Sequence, residues 1–238
     1  MKTRLTVFQE QVLKRLANRI DDFYLAGGTA LSLFYFKHRK SLDLDFFTQD
    51  FKKVQVMQII RFLSENLHKK IELIAEQSRK DRIKILMYSV PVDNKRSLKL
   101  DFVQDYHKLI KPVKSVNGIK VLSLEDIYIR KIYAATGTFQ REDIIGARMM
   151  TGGRQEAKDF YDLYCLSKIF MKLSHFSFKY GNQLMREAII RWFRTYSRLD
   201  MKIGILELKL KKDIDYNEME RHFNKEINVI LEREVELV

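Results

Sequence analysis

The sequence predicts an α+β fold in which a strand-rich half is followed by a helical half. Apolar and polar residues alternate in several short segments before Pro112, as they do in half-buried strands. Beyond Pro112 the apolar residues recur every three or four positions, which is typical of the buried face of a helix. We therefore predict a first domain over 1–118 and a helical domain over 119–238.

The first half mixes helices with strands. Phe8, Val12 and Leu16 share one face of a helix, whereas Leu44 and Phe46 alternate with aspartates as in a strand. The predicted helices cover 8–20, 29–36 and 54–67, and the predicted strands cover 23–25, 42–46, 71–74, 83–90 and 98–103.

The second half is predicted from helical periods and one glycine-rich stretch. Ser123 and Asp126 have the spacing of a helix capping box and begin a helix that ends near residue 135. Four glycines between 136 and 157 favour a loop with a helical turn inside it. Further helices are predicted over 158–170, 183–198 and 216–232.

The charge of the chain indicates a polyanionic partner. The 238 residues contain 44 Lys and Arg against 31 Asp and Glu, a formal net charge of +13. Residues 1–119 hold 23 of the basic and 13 of the acidic side chains, so this half alone carries +10. The tail from about residue 199 is acidic. It either folds back over a basic face or forms a solvated acidic helix.

Several classes of protein are excluded. The single cysteine, Cys165, excludes an internal disulfide framework and a cysteine-rich zinc site. No apolar run reaches the length of a membrane span, and the first residues lack the pattern of an export signal. We expect a cytoplasmic protein without a membrane partner.

The densest chemistry lies between residues 24 and 47. Asp43 and Asp45 are two positions apart on a predicted strand, so their Cα atoms are about 6.5–7 Å apart and their carboxylates share a face. Such a pair can hold Mg²⁺. Gly27 and Gly28 allow a ligand close to the backbone, and a hydroxyl follows at the start of a helix. Asp101 lies on a later alternating segment that is plausibly a neighbouring strand.

Each of these features has an ordinary structural explanation when it is taken alone. A Gly-Gly pair before a helix is usually a tight turn, and an isolated Asp-x-Asp is usually a solvated strand face. Their joint occurrence, in this order and on these elements, favours a metal and triphosphate site.

These motifs resemble a known superfamily. Gly28-Thr29, a spacer of thirteen residues, Asp43-Leu-Asp45 and the later Asp101 are similar to the signature of nucleotidyltransferases. The fuller strings at 25–31 and 38–47 resemble the AbiEii/AbiGii toxins of type IV toxin–antitoxin and phage abortive infection systems. Segments 124–131 and 158–164 resemble the downstream helical motifs of that group, so the resemblance covers about 21–166.

The resemblance implies roles for individual residues. Asp43, Asp45 and Asp101 would hold Mg²⁺ or Mn²⁺, and Asp101 would also help to deprotonate the attacking hydroxyl. Lys131 would neutralise phosphate charge from the helical half and complete the catalytic set. The nucleotide-binding residues would be Gly28, Thr29, His38, Arg39, Ser41, Lys158, Asp159 and Asp162.

Some of these residues have competing interpretations. His38 and Arg39 could meet incoming phosphate or lie in a solvated loop. Lys158 stands where the group more often has arginine, and it could pair with Asp162 one helical turn away. The segment 136–157 makes the interval between the two helical motifs longer than is usual for the group.

An arginine-rich stretch could contact RNA. Arg191, Arg194 and Arg198 are spaced to share one helical face beside Trp192. The alternative is a solvated face over a tryptophan that belongs to the core.

The expected activity is Mg²⁺-dependent transfer of a nucleotidyl group from an NTP to an acceptor hydroxyl, with release of pyrophosphate. The basic first half favours RNA, most plausibly tRNA, as the acceptor. We expect a toxin of a toxin–antitoxin or phage-defence system, with a cognate antitoxin encoded nearby. The alternatives are a catalytically weak nucleotide- or RNA-binding module of the same fold, or nucleotidylation of a partner protein of the AMPylation type.

Overall fold

The computed structural model describes residues 3–79, 82–142 and 148–237. The chain divides into two compact units. Unit 1 consists of Met1–Tyr35 and Ser41–Ser123, and unit 2 consists of Phe36–Lys40 and Leu124–Val238. The division after Ser123 differs from the boundary that we predicted near residue 118, and the short excursion of the chain into unit 2 left no signal in the sequence.

Unit 1 combines helices with a seven-stranded mixed sheet within the described residues. A π-helical turn at Leu31–Tyr35 continues the short helix that precedes it. The elements are α1 (Arg4–Leu16), β1 (Tyr24–Leu25), α2 (Gly27–Ala30), β2 (Leu44–Thr48), α3 (Lys53–Leu67), β3 (Glu72–Gln77), β4 (Ile85–Asp93), β5 (Arg96–Gln104), β6 (Lys114–Val116) and β7 (Ile119–Val121).

The strand order in the sheet is β3-β4-β5-β2-β1-β7-β6. Strand β2 pairs in parallel with β5, and β1 pairs in parallel with β7, while the other neighbours are antiparallel. The mixed sheet agrees with the predicted fold class. It also places β2, the strand of the Asp-x-Asp motif, beside β5, which carries Asp101.

Apolar burial explains why these segments form this sheet. Strand β4 alternates strictly between buried and half-buried residues along its length. The rings of Phe23, Phe46 and Phe102 meet in the core, with centroids 5.3 Å apart for Phe23 and Phe102 and 5.6 Å apart for Phe46 and Phe102. Phe46 and Phe102 are also directly opposite each other in the pairing of β2 with β5, so their rings pack at the centre of the sheet.

Two short strands were not predicted. We expected the strand-rich half to end at Pro112, but β6 and β7 follow it and form an antiparallel hairpin through Val116 and Ile119. Val121 on β7 then pairs with Leu25 on β1, which joins the hairpin to the rest of the sheet. Strands of three residues are too short to show an alternation that the sequence could reveal.

Unit 2 is mainly helical, as predicted. A π-helical turn at Leu166–Phe170 continues the helix that precedes it. The elements are α4 (Leu124–Thr136), β8 (Gly137–Glu142), β9 (Arg148–Gly152), α5 (Ala157–Cys165), α6 (Leu173–Tyr180), α7 (Gln183–Thr195), α8 (Arg198–Glu207) and α9 (Tyr216–Glu236). The core includes an aromatic cluster around Phe160, whose ring contacts Trp192, Tyr196, Tyr216 and Phe223.

The prediction of a loop over 136–157 was wrong for 137–142 and 148–152, which form strands, whereas 153–156 have no regular secondary structure. Strands β8 and β9 form an antiparallel hairpin, and the residues between them, 143–147 with Gly146, lie outside the described residues. Glycines at the base of the hairpin permit close contacts. A Cβ on Gly137 would lie 2.0 Å from the main-chain oxygen of Thr151, and one on Gly153 would lie 2.2 Å from that of Ala135. Both glycines allow close packing, and Gly137 begins a strand where we predicted a loop.

The acidic tail is an integral part of unit 2. Glu226 on α9 is buried and accepts hydrogen bonds from the main-chain N–H and the hydroxyl of Ser174 at 3.0 and 2.7 Å. Glu218 accepts one from the hydroxyl of Tyr164. The tail therefore packs as amphipathic helices whose carboxylates satisfy polar groups of the same unit. Among the helices in the described residues, none is long and apolar enough to cross a membrane.

Candidate active site

The two strand carboxylates lie side by side at the centre of unit 1. In the parallel pairing of β2 with β5, Asp45 is directly opposite Asp101. Paired residues on adjacent strands are about 4.8 Å apart and point to the same face. Asp45 is half-buried and Asp101 is 6% exposed, while Asp43 lies just before β2 and not on it as we predicted. The register thus brings together two aspartates that are 56 positions apart in the chain.

Gly27 makes room for the carboxylate of Asp45. Its φ angle is +66°, a region in which side chains are disfavoured, and a Cβ there would lie only 2.7 Å from Asp45 Oδ2. The main-chain N–H of Ala26 donates to the Asp45 carbonyl at 2.9 Å, which holds the turn against β2. Our predicted site included Gly28, but the structural constraint falls on Gly27, the first glycine of the pair.

Thr29 and Ser41 shape the loop that leads to the aspartates. The hydroxyl of Thr29 is buried, donates to the main-chain carbonyl of Asp43, and lies 2.8 Å from the hydroxyl of Ser41. Both hydroxyls therefore contact the segment that carries Asp43. Whether they also bind nucleotide, as the resemblance implies, stays a prediction.

Gln9 is a positioning residue that the sequence analysis missed. It lies on α1 and is 1% exposed. Its side-chain amide nitrogen donates to the main-chain carbonyls of Ser41 and Asp43, both at 3.2 Å. A signal was present in the sequence, since a glutamine interrupts an otherwise apolar helix face. Buried amides of this kind are retained only where they are hydrogen-bonded.

Lys99 brings a positive charge to the carboxylates. Its Nζ lies 2.7 Å from Asp101 Oδ2. Burial alone would lower the pKa of Lys99, but the hydrogen bond to Asp101 and the charges of Asp101, Asp43 and Asp45 outweigh burial and hold it above the ordinary value. All three predicted metal ligands therefore act electrostatically on one ammonium group. Lys99 was not among our predicted site residues, although it lies two positions before Asp101 on the same strand face.

The donor chemistry of this cluster fits a magnesium or manganese ion. Asp43, Asp45 and Asp101 offer only carboxylate oxygens, the ligands that such hard cations prefer, and the cluster already attracts one cationic group. Across 3–79, 82–142 and 148–237, no three or more His, Cys, Asp or Glu side chains are grouped closely enough to hold a metal ion. In the described residues, Asp101 contacts the ammonium of Lys99, and Asp43 and Asp45 act on it through their charge.

A second polar cluster lies within unit 2 and centres on Asp162, which is fully buried. Its Oδ1 accepts from Arg39 Nε at 2.6 Å and lies 2.7 Å from His38 Nε2, and its Oδ2 accepts from Arg39 Nη2 at 2.8 Å. Lys131 Nζ lies 2.6 Å from the same Oδ2. Burial alone would raise the pKa of Asp162, but Lys131, Arg39 and His38 outweigh burial and hold it well below its ordinary value.

Asp159 extends this cluster, which we call the Asp162 network. Its carboxylate is buried and accepts from Lys131 Nζ and Arg154 Nε, both at 2.6 Å. Lys158 is not a member, because it pairs with Glu156 at 2.8 Å. The predicted pairing of Lys158 with Asp162 is therefore not observed, and arginine and lysine residues from other elements take its place. Roles of these residues in nucleotide binding or catalysis stay predictions.

His38 and Arg39 enter the network from Phe36–Lys40, a segment that we call the strap. The strap is held by main chain as well as side chains. The N–H of Lys40 donates to the carbonyl of Lys209, and the N–H of Lys211 donates to the carbonyl of His38, both at 3.0 Å. The side chains of His38 and Arg39 are both buried, so the solvated loop that we considered for these two residues is not observed.

The arginine stretch that could contact RNA is divided between two helices. Helix α7 ends at Thr195, and the hydroxyl of Ser197 caps α8, so Arg198 belongs to the next helix and the predicted helix over 183–198 was too long. Trp192 is buried in the aromatic cluster around Phe160. The tryptophan therefore belongs to the core and is not a stacking platform for a base.

Comparison with known proteins identifies the family. The chain matches the model described as "Nucleotidyl transferase AbiEii toxin, Type IV TA system" over residues 11–236. It is similar in fold to a candidate nucleotidyltransferase from H. pylori, with a TM-score of 0.62 and 16% identity over 100% of this chain and 99% of that chain. It is also similar to JHP933 from Helicobacter pylori, with a TM-score of 0.58 and 16% identity over 100% and 97% of the two chains. No curated protein matches it.

The matched residues include both the aspartate cluster of unit 1 and the Asp162 network of unit 2. At 16% sequence identity the solved structures show only the fold of this chain. The match to the family model shows to which family the chain belongs. A toxin of a type IV system implies an antitoxin as partner. The resemblance that the motifs indicated is therefore confirmed, and the chain belongs to the AbiEii family of nucleotidyltransferase toxins.

Proposed function

We propose that this toxin transfers a nucleotidyl group from an NTP to a hydroxyl of RNA, with tRNA as the acceptor, in a reaction that requires Mg²⁺ or Mn²⁺. The observation that carries the proposal is the parallel register that pairs Asp45 with Asp101, beside Asp43 and the turn at Gly27. Carboxylates placed together on a central sheet, with a cationic group already drawn to them, have the donors that a metal–triphosphate complex needs.

The proposed reaction is an in-line displacement at phosphorus. The oxygen of the acceptor hydroxyl forms a bond to the α-phosphorus of the NTP, and the bond to the bridging oxygen breaks, so that pyrophosphate leaves. Asp101 accepts the proton of the hydroxyl. Asp43, Asp45 and Asp101 would hold the divalent ion, which would neutralise charge on the phosphate oxygens when it is bound. Gln9 keeps Asp43 in place through the main chain.

The proposed triphosphate site is the turn at Gly27 and Gly28 together with Thr29. Gly27 has a positive φ, and its lack of a side chain leaves the backbone open beside Asp45. In the Asp162 network, by contrast, the buried partners of each charged group support a role in holding the strap and the helices. A role of Lys131 in catalysis rests on the family resemblance.

The choice of RNA as the acceptor rests on charge. The chain carries +13, and residues 1–119 carry 23 basic against 13 acidic side chains. Such an excess attracts a polyanion, whereas a small cationic acceptor would favour an acidic surface. A protein acceptor and a binding module without activity are outcomes that the experiment below separates.

The test is to incubate the protein with Mg²⁺ and each α-labelled NTP in turn, either with total tRNA or with protein alone. We expect label on RNA, with one NTP preferred, and none after addition of a chelator. Asp45→Asn should abolish the label because the strand pair loses one carboxylate. The matched control is Asp50→Asn, since Asp50 is exposed and pairs only at the surface with Lys52, and it should label RNA like the wild type.

Other outcomes would identify the alternatives. Label on the protein or on an added antitoxin, with none on RNA, would replace the RNA acceptor by a protein acceptor. No label with any NTP, together with RNA binding that Asp45→Asn leaves intact, would replace the enzyme by a binding module. Equal labelling by Asp45→Asn and the wild type would remove the carboxylate cluster from the mechanism.

A further inference from the structure

Lys99 occupies the place where a cation is needed. Lys99 and Asp101 are two positions apart on β5, so both side chains point to the same face of the sheet. The ammonium lies 2.7 Å from Asp101 Oδ2, within hydrogen-bonding distance. The cross-strand neighbour of Asp101 on this face is Asp45. One positive charge thus lies against a group of negative charges at the centre of unit 1.

The ammonium and a divalent ion cannot use the same oxygen at the same time. A magnesium ion binds its ligand oxygens at about 2.0–2.1 Å, and its two charges would repel an ammonium in contact with the same carboxylate. A single ammonium also leaves the cluster with excess negative charge, which a divalent ion compensates better. A metal ion that binds Asp101 through Oδ2 therefore has to displace the ammonium of Lys99.

Lys99 is free to move in a way that Asp101 is not. The side chain of Lys99 is 39% exposed and that of Asp101 is 9% exposed. Lysine ends in a flexible four-carbon stem, so its ammonium can turn toward solvent without any change in the main chain. Asp101 is fixed because β5 is hydrogen-bonded on both sides, to β4 and to β2.

We propose that Lys99 is a built-in counter-ion of the aspartate cluster, which holds the carboxylates together before the metal arrives and competes with the metal for Asp101. Lys99 thereby sets the concentration of divalent ion that the site requires. It is a positioning residue for the metal ligands. The inference rests on the proposed function in one respect, namely that the carboxylates bind a divalent ion.

The experiment measures metal binding directly, without nucleotide or turnover. Purified wild type, Lys99→Met and Lys99→Arg are titrated with Mn²⁺, and free Mn²⁺ is followed by electron paramagnetic resonance. We expect Lys99→Met to bind Mn²⁺ roughly tenfold more tightly, because removal of one competing charge at contact distance changes affinity on that scale. Lys99→Arg should bind like the wild type, since it keeps the charge.

A matched control separates local competition from net charge. Lys95→Met removes an exposed lysine from the turn between β4 and β5 and should leave Mn²⁺ affinity within about twofold of the wild type, because screened surface charges act weakly over distance. Thermal melts without metal give a second readout. Lys99→Met should have a lower melting temperature than the wild type. The double variant that combines Lys99→Met with Asp101→Asn should recover this loss of melting temperature.

The outcomes are distinguishable. Tighter Mn²⁺ binding by Lys99→Met, with no change in Lys99→Arg and Lys95→Met, supports the counter-ion. Equal or weaker binding by Lys99→Met, while the wild type binds Mn²⁺, overturns the inference and leaves the proposed function intact. Absence of Mn²⁺ binding by every variant also overturns the inference, and the chelator arm of the labelling assay decides separately whether the proposed reaction requires a metal ion.

Discussion

Replacement of Asp162 by asparagine should be among the most damaging single substitutions in unit 2. Asp162 is fully buried and contacts three cationic or polar partners, Arg39, Lys131 and His38, at 2.6–2.8 Å. Asparagine keeps the size of the side chain but removes the negative charge. The guanidinium and the ammonium would then remain buried with less compensation, although Asp159 still accepts a hydrogen bond from Lys131.

The magnitude follows from the cost of an uncompensated buried charge. Breaking a buried ion pair from one side costs about 3–5 kcal/mol in the free energy of unfolding. For a chain of this length about 2–4 °C of melting temperature corresponds to each kcal/mol, so the expected drop is roughly 6–20 °C. The control Lys158→Met removes an exposed ion pair with Glu156 and should change the free energy by less than about 1 kcal/mol.

The pH dependence gives an independent check. The pKa of Asp162 in the folded protein is lowered well below its ordinary value of 3.8, against the effect of burial, by Lys131, Arg39 and His38. A lowered pKa contributes stability that is present above the unfolded value and is lost as the pH falls toward the folded one. The difference between wild type and Asp162→Asn should therefore be largest near pH 7 and shrink below about pH 4.

The assay is urea unfolding, followed by circular dichroism, of wild type, Asp162→Asn and Lys158→Met at several pH values. A gradual urea titration also shows whether the two units unfold separately. If they do, the loss of unfolding free energy in Asp162→Asn should appear in the transition of the helical unit. If Asp162→Asn costs no more than Lys158→Met at pH 7, the network does not stabilise unit 2 and the reasoning is refuted.

Three further substitutions test other parts of the structure. Gly27→Ala should reduce labelling of RNA severely and cost about 1–2 kcal/mol in stability, because its Cβ would meet Asp45 Oδ2 at 2.7 Å and its φ is +66°. Gln9→Leu should cost about 1–3 kcal/mol, since the Ser41 carbonyl loses its Gln9 donor and the Asp43 carbonyl keeps only the hydroxyl of Thr29. Gly153→Ala should destabilise unit 2 by more than about 2 kcal/mol, because a Cβ would lie 2.2 Å from a main-chain oxygen of α4.

Urea unfolding and the labelling assay check these three together. The control for Gly27→Ala is Gly181→Ala, whose Cβ would meet the end of Met185 and, at 2.6 Å, the main-chain oxygen of Ser177. This control should also cost stability, but it should leave labelling by the folded protein unchanged. Full activity of Gly27→Ala, wild-type stability of Gln9→Leu, or wild-type unfolding of Gly153→Ala would each contradict the contact on which that prediction rests.

The elements that could be predicted are those whose pattern is local. The alternation around Leu98 and Phe102 and the helical period around Val56 and Ile59 depend only on neighbouring residues, and β5 and α3 form where these patterns occur. The hairpin at Gly137 was missed because a glycine that permits close packing has the same sequence signal as one that ends an element.

The aspartates of the candidate site could be singled out from the sequence, whereas Gln9, Lys99 and the contacts could not. Asp43 and Asp45 were recognisable by spacing, whereas the pairing of Asp45 with Asp101 depends on the register of two parallel strands. The same limit applies to unit 2. The ion pair of Arg39 with Asp162 joins residues 123 positions apart, and no pattern of neighbouring residues indicates it.

The strap has a consequence for anyone who wishes to express the two units separately. The chain crosses between the units three times, after Tyr35, after Lys40 and after Ser123, so truncation at a single position cannot yield either unit intact. A fragment that ends at residue 123 would retain Arg39 without the carboxylate of Asp162, and a fragment that begins at residue 124 would retain that buried carboxylate without Arg39 and His38. To separate the two units of this toxin, the five residues of the strap have to be replaced by a neutral linker in the fragment of unit 1. The strap then has to be added to the helical fragment as a separate peptide.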